Sequence, residues 1–400
     1  MGALRKHVVV VGAGIVGAAC AYHLARAGLR VTVLDRGPVA GGATGTGNGD
    51  VRVCGHRPGP ELDLARASVR GWRELGTALG ADTIELEAAG SLVVAATPRE
   101  RDRLAATVAA YRDAGVAVTD LDAEALAAQE PQLAPGLAGG ARFPADLRLQ
   151  PTLATARLLT ASGADVQCGT GVRSIETDAA GAVRGVRTDR GALITAAAVV
   201  SAAGVAAVDL AATVGTRLPL EPRPGFVLVT EPLGGRRCRA PIRHTVYAAG
   251  SGTGDGPGPR GAPGQDGGAE ADGGPVPVNA TVVAPTRAGT VLIGVGRDQV
   301  GVDPAYPLPV LRRLAAQAIA LFPFLAGVRL LHAAQGYRPV TPDQRPVIGP
   351  DPGTPGLFHA CGHGGAGVTL APATGALITA LVTGDTPEVD PAPYDPGRFT

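Results

Sequence analysis

A chain of 400 residues is longer than one hydrophobic core usually serves, so two domains are expected. With 45% hydrophobic residues and a formal net charge of +1, the composition is that of a soluble globular protein and excludes the basic excess of a nucleic-acid binder. The five cysteines, Cys20, Cys54, Cys168, Cys238 and Cys361, are widely spaced with no CxxC, so no metal centre and no disulfide framework are indicated.

The strongest signal comes first in the chain, in His7 to Arg36, HVVVVGAGIVGAACAYHLARAGLRVTVLDR. Val8 to Val11 are apolar on both faces and read as a buried parallel strand. The turn Gly12-Ala13-Gly14-Ile15-Val16-Gly17 follows, then a helix ended by Gly28, then a second strand closing on Asp35 and Arg36. Gly12 permits a tight turn, Gly14 lets backbone approach a pyrophosphate, and Gly17 lets the helix pack on the strand. The helix N-terminus then faces phosphate with free N–H groups and a partial positive charge. Asp35, eighteen residues after Gly17, stands where an acid accepts hydrogen bonds from a ribose. That disfavours NADP and leaves NAD and FAD open. The apolar N-terminal run is this motif and not a cleaved leader. The Ala/Val-rich stretch Ala196 to Val208 is too short to span a bilayer, so no transmembrane segment and a cytoplasmic location are expected.

A second glycine cluster, Gly41 to Gly49, reads as a loop whose backbone lies against a flat cofactor. Ala43, Thr44, Thr46, Gly47, Asn48 and Gly49 are assigned to that contact, with Thr44, Thr46 and Asn48 as hydrogen-bonders. Pro60 to Leu79 has an apolar stripe through Leu62, Ala65, Val69, Trp72, Leu75 and Leu79, and predicts a helix with Trp72 in the core. Ser91 to Ala95 predicts a strand, and Thr97-Pro98-Arg99-Glu100 a capping box opening a helix to about Ala114. Further helices are predicted near Asp122 and from Pro151 to Gly163. From Asp165 the pattern shortens to hairpin-like strands, with Val172 assigned to the cofactor. Val199 to Gly204 then returns to a buried strand ending on glycine, with Ala203 and Gly204 at the cofactor.

Gly225 to Thr230, Val276 to Val283 and Thr290 to Val295 predict strands of a second sheet. Between the first two, Gly250 to Pro277 holds sixteen glycines and prolines in 28 residues and reads as a disordered insertion. Pro307 to Phe322 predicts a helix. Leu357 to Cys361 predicts a strand, Gly362 to Gly367 a third glycine loop, and Pro372 to Val382 a helix. Gly362, His363, Gly364, Gly365, Gly367 and Val368 are assigned to the cofactor, with the chain's end folding back onto it.

At this point the chain resembles the FAD-dependent oxidoreductases of the D-amino-acid oxidase, glycine oxidase and sarcosine oxidase family over nearly its whole length. The resemblance rests on GAGIVG with Asp35, on GGATGTGNG, on VVSAAG at Val199 to Gly204, on GYRPVTPDQRPVIGP at Gly336 to Pro350, and on GHGGAGVTLAPATG at Gly362 to Gly375. It is nearest in look to bacterial members such as glycine oxidase and the flavoprotein subunits of opine oxidases and hydrogen cyanide synthase. It implies an α/β FAD-binding domain of the glutathione-reductase type (Rossmann-like) and an α+β substrate domain with a large antiparallel sheet. The expected division gives 1–85, 146–215 and 335–400 to the FAD domain and 86–145 and 216–334 to the substrate domain. The resemblance also implies oxidation of a C–N bond in an amino acid or secondary amine, by hydride transfer to flavin and hydrolysis of the imine.

Matched residue by residue, Arg338 falls where glycine oxidases place the arginine that pairs with the substrate carboxylate, a role suited to a guanidinium fork. His363 and Tyr247 join it as candidate site residues, His363 mainly through its backbone, and Tyr337 is a further lining candidate. The chain departs from the family at Gly364, where many relatives have Glu, at Gly365, where glycine oxidases carry a second arginine, and at Gly204-Val205-Ala206, which lacks the usual aromatic. No cysteine lies near Gly336, where sarcosine oxidases attach flavin, so the FAD is expected to be non-covalent. Rival readings are a dehydrogenase subunit passing electrons to a partner protein or quinone instead of O2, an NAD-dependent dehydrogenase, and a non-catalytic flavin-binding accessory. Homo- or hetero-oligomers are open.

Overall fold

The structure, a computed structural model, describes residues 6–234, 241–249, 281–294 and 308–399. The expected disordered insertion at 250–277 and Cys238 lie outside the described residues.

Val8 to Val10 carry no polar side chain and are at most 1% exposed, so their strand can only be internal. His7–Val11 lies within a six-stranded sheet ordered Val347–Pro350, Leu357–Cys361, Ala198–Ser201, His7–Val11, Arg30–Asp35, Asp165–Cys168. Every neighbour is parallel except Val347–Pro350, which runs antiparallel to Leu357–Cys361. One face is covered by the helix Ile15–Arg26, itself packed on the helices Pro151–Ser162 and Gly367–Thr383.

Asp165–Cys168 differs from the expected hairpin strand, because it pairs in parallel with Arg30–Asp35 at the edge of this sheet. The hairpins begin only after Gly169, whose φ of 70 turns the chain into an antiparallel sheet of Val172–Thr177, Val183–Thr188 and Leu193–Thr195. An edge strand with no fully buried residue carries no burial signal to set it apart in sequence.

The second sheet has eight strands, ordered Leu330–Val340, Glu221–Thr230, Val291–Gly294, Val282–Pro285, Thr245–Ala248, Ser91–Ala95, Gly139–Phe143, Thr119–Leu121. Its pairs are antiparallel except where Thr245–Ala248 meets Ser91–Ala95. The expected division at residue 335 falls inside the strand Leu330–Val340. Glu221–Thr230 starts four residues before the expected Gly225, despite Pro222 and Pro224. The register places Pro222 opposite Pro339. Two facing prolines fit only a non-hydrogen-bonded pair, and alternation puts Pro224 in the same kind of position, so no ladder bond is lost.

The last helix runs Gly367–Thr383, with Pro372 inside it and not at its start as expected. A helical Pro372 cannot donate to the Val368 carbonyl four residues back. The Trp72 indole N–H takes that place, 2.8 Å from Val368 O. The helix Pro60–Leu79 reaches it because Gly71 has no Cβ, which would lie 2.8 Å from Pro372 Cβ. Residues 364–383 are long and apolar enough to cross a membrane, yet this helix packs against Ile15–Arg26 and Pro60–Leu79 and is largely buried in the protein.

Candidate active site

The three glycine segments converge on one cavity between the two sheets. Gly12, Gly14, Ile15 and Val16 line it from the first turn, Ala43, Thr44, Thr46, Gly47 and Asn48 from the second loop, and His363, Gly364, Gly365, Gly367 and Val368 from the third. Its volume is about 250 Å³. It shares Asp35, Ala43, Ala203 and Gly204 with a neighbouring cavity of about 440 Å³, which Arg36 and Val172 also line.

Ala13, Gly17, Gly49 and Gly362 do not reach the wall and act by spacing. A Cβ on Gly17 would lie 1.9 Å from Gly12 O, and one on Gly49 would lie 1.9 Å from Leu149 O. A Cβ on Gly362, at φ +74, would meet Thr341 Cγ2 at 2.9 Å. Ala13 is fully buried and its N–H donates to Asp35 Oδ2 at 2.7 Å, while the Gly37 N–H donates to Asp35 Oδ1 at 2.7 Å. Asp35 is thus fixed by backbone, with lone pairs left for a ribose.

The polar side chains of the second loop bond the protein itself. The Ile15 N–H donates to Thr44 Oγ1 at 3.0 Å, the Thr46 hydroxyl donates to Ala43 O at 3.2 Å, and Asn48 Nδ2 donates to Asp50 Oδ2 at 2.8 Å. The sequence assigned all three to the cofactor; they line the cavity, and these bonds brace the loop there. Gly336 clamps this loop against the second sheet, since a Cβ there would come within 1.9 Å of Thr46 Oγ1.

The helix ends carry the electrostatics. Neither Gly14 nor Ala366, the N-caps of Ile15–Arg26 and Gly367–Thr383, supplies a side-chain cap, and neither helix has an acid in its first turn. Two positively polarised helix termini therefore face one cavity with no acid in either first turn. That suits a dinucleotide bearing a flavin, with the diphosphate at Gly12 to Val16, the adenosine toward Asp35, Arg36 and Val172, and the ring system between the second and third loops.

Arg338 lies in the strand Leu330–Val340, and its Nη2 donates to Pro224 O at 3.1 Å. Gly225 leaves room for it, because an added Cβ would lie 3.2 Å from the Arg338 Nε. The guanidinium thus stands on the cavity wall, on the second-sheet side. Tyr337, one residue earlier and on the other face of the strand, lines the neighbouring cavity instead. His363 is 7% exposed and its Nε2 lies 2.9 Å from Thr374 Oγ1. Burial lowers its pKa to about 4, so the ring is neutral near pH 7 and suited to positioning.

Tyr247 lines the cavity and its hydroxyl donates to Asp50 Oδ2 at 2.6 Å. Asp50, Arg52 and Cys54, also on the wall, escaped the sequence reading. The signal was Asp50 and Arg52 straddling a lone valine straight after a glycine loop, too short a run to show a period. Cys54 and Cys361 put two thiols on the wall. Burial pushes Cys361 up to about 12 and Cys54 well above the ordinary value, so both stay protonated and poorly nucleophilic.

A largely parallel nucleotide sheet, two helix N-termini with no acid in their first turns and an arginine on the wall of the same cavity define a flavin-dependent oxidoreductase. The model of the family described as FAD dependent oxidoreductase matches residues 7–381, and the chain belongs to that family. It is 30% identical to the glycine oxidase of Pseudomonas putida, over 99% of this chain and 100% of that protein. It is 28% identical to a D-amino acid dehydrogenase of Methylobacterium nodulans, over 96% of each chain. Among solved structures, the glycine oxidase of Geobacillus kaustophilus superposes with a TM-score of 0.82 at 26% identity, covering 98% of both chains. The protein is an FAD-dependent enzyme, and the NAD-dependent reading is set aside.

Proposed function

We propose that this enzyme oxidises the C–N bond of an amino acid or a carboxylate-bearing secondary amine. The observation that carries this reading is Arg338, an arginine brought to the cavity wall opposite two helix N-termini, where its fork suits two parallel hydrogen bonds to a carboxylate. Relatives named glycine oxidase and D-amino acid dehydrogenase support the same substrate class. When bound, FAD supplies the acceptor for the two electrons leaving the substrate. The chain's own part is to grip the carboxylate through Arg338, to hold the glycine loops rigid through Thr44, Thr46 and Asn48, and to exclude water with Tyr247 and the third loop. The product imine hydrolyses in water.

The test is anaerobic mixing of the FAD-loaded protein with amino acids and N-alkyl amino acids, followed by flavin absorbance. Bleaching by at least one carboxylate substrate is expected. A flavin that dithionite bleaches and no such substrate does would overturn the reading. Oxygen uptake with the same substrate then decides between O2 and a protein or quinone acceptor.

A further inference from the structure

Two carboxylates line the cavity, Asp35 and Asp50. Asp35 is held at the nucleotide end by Ala13 and Gly37. Asp50 is held by Tyr247 of the second sheet at 2.6 Å and by Asn48 of the second loop at 2.8 Å, both on Oδ2, while its buried Oδ1 has no hydrogen-bond partner within 3.5 Å among the described residues. Tyr247, which holds Asp50, and Arg338 belong to the same eight-stranded sheet, and Asp50 and Arg338 both line the cavity.

An amino acid enters as a zwitterion, and its ammonium nitrogen has no lone pair with which to form C=N. A base must first remove a proton. We propose that Asp50 receives the substrate ammonium and takes its proton, so that Asp50 and Arg338 together read the two ends of an amino-acid zwitterion. One N–H bond breaks, one O–H bond forms on Asp50, and the electron pair stays on nitrogen. This rests on the amino-acid reading above.

The surroundings tune Asp50 for the exchange. Burial raises its proton affinity, Tyr247 and Arg52 oppose this, Asp146 adds to it, and Thr245 opposes it. Arg52 stacks its guanidinium 5.2 Å over the Tyr247 ring. Arg148, opposite Asp50 in the short ladder, is turned to Glu87, and the Thr369 hydroxyl donates to the Asp50 backbone carbonyl at 3.1 Å. The Cys54 thiol stays protonated.

The experiment titrates FAD-loaded wild type and Asp50→Asn with acetate and with 2-methylalanine, an amino acid lacking the Cα–H, reading the flavin absorbance. Asp50→Asn should weaken 2-methylalanine about tenfold or more and change acetate by no more than about twofold. Equal weakening of both ligands, or of neither, overturns the assignment. A wild type that binds neither ligand overturns the amino-acid reading itself. Tyr247→Phe serves where Asp50→Asn fails to hold FAD. Removing its donor raises the proton affinity of Asp50, so the acid limb of kcat/KM should move to higher pH. An unmoved limb overturns the assignment equally.

Discussion

At the residue scale, local geometry brings one charge, Arg338, to the cavity wall, where the proposed carboxylate grip can be tested. Pro339 biases the residue before it toward extended backbone, which keeps Arg338 in the strand and its side chain across the sheet. Gly225 clears the space the guanidinium occupies. Removing one partner of a charge-assisted pair in a partly desolvated site costs about 3–5 kcal/mol. Arg338→Ala should therefore lower kcat/KM for the best amino acid by roughly two to four decades. Arg338→Lys, which keeps the charge and loses the fork, should fall between. Both variants should retain FAD, and the loss should be much smaller for an amine without a carboxylate. Turnover of the amino acid within a few-fold of wild type would make Arg338 a structural residue.

At the element scale, local chemistry was legible and long-range compensation was not. The helix Pro60–Leu79 is found at its expected limits because its stripe repeats over five turns. The capping box at Thr97 and Glu100 forms in both directions because its partners are three residues apart. In contrast, Asp50–Val51 is a two-residue strand, paired with the equally short Leu147–Arg148, with no period to read, so Asp50 and the Arg52 that follows it on the cavity wall were missed. Likewise Pro372 reads as a helix start, since the donor that lets it sit inside a helix, Trp72, is 296 residues away from the carbonyl it serves. This pairing predicts a specific epistasis. Trp72→Phe leaves the Val368 carbonyl buried without a donor and should destabilise by about 1–3 kcal/mol. Pro372→Ala restores a backbone N–H to that carbonyl, so the double variant should recover much of the loss in urea unfolding. Purely additive effects would show that Trp72 contributes by packing alone.

At the scale of the whole molecule, charge and cofactor set the working conditions. His363 has its pKa lowered by burial to about 4, and His23 likewise to about 4, against an ordinary value near 6.5. Because the folded state favours the neutral rings, the unfolded chain binds more protons below pH 6.5. The stabilisation is complete above that pH and is lost as pH falls toward 4. The melting temperature should drop by several degrees over this window, and His363→Asn should flatten the slope. A slope unchanged by the substitution would locate the acid sensitivity elsewhere. The cavity thiols bear on cofactor attachment in the same way. Cys54 and Cys361 are held protonated, so acid precipitation should leave all the flavin in the supernatant, and a yellow pellet would disprove non-covalent binding.

The sheet order has a consequence for biosynthesis. His7–Val11 pairs with Ala198–Ser201, made long after it, which pairs in turn with the still later Leu357–Cys361. The two helix ends that face the cavity begin at Ile15 and Gly367, near opposite ends of the chain. A growing polypeptide therefore carries its nucleotide motif for most of its synthesis beside an incomplete sheet, and the non-local pairings that complete it form late. Cofactor capture becomes an event of the finished chain. Nascent chains arrested before residue 357 should hold no flavin, whereas full-length chains released from the same ribosomes should acquire it.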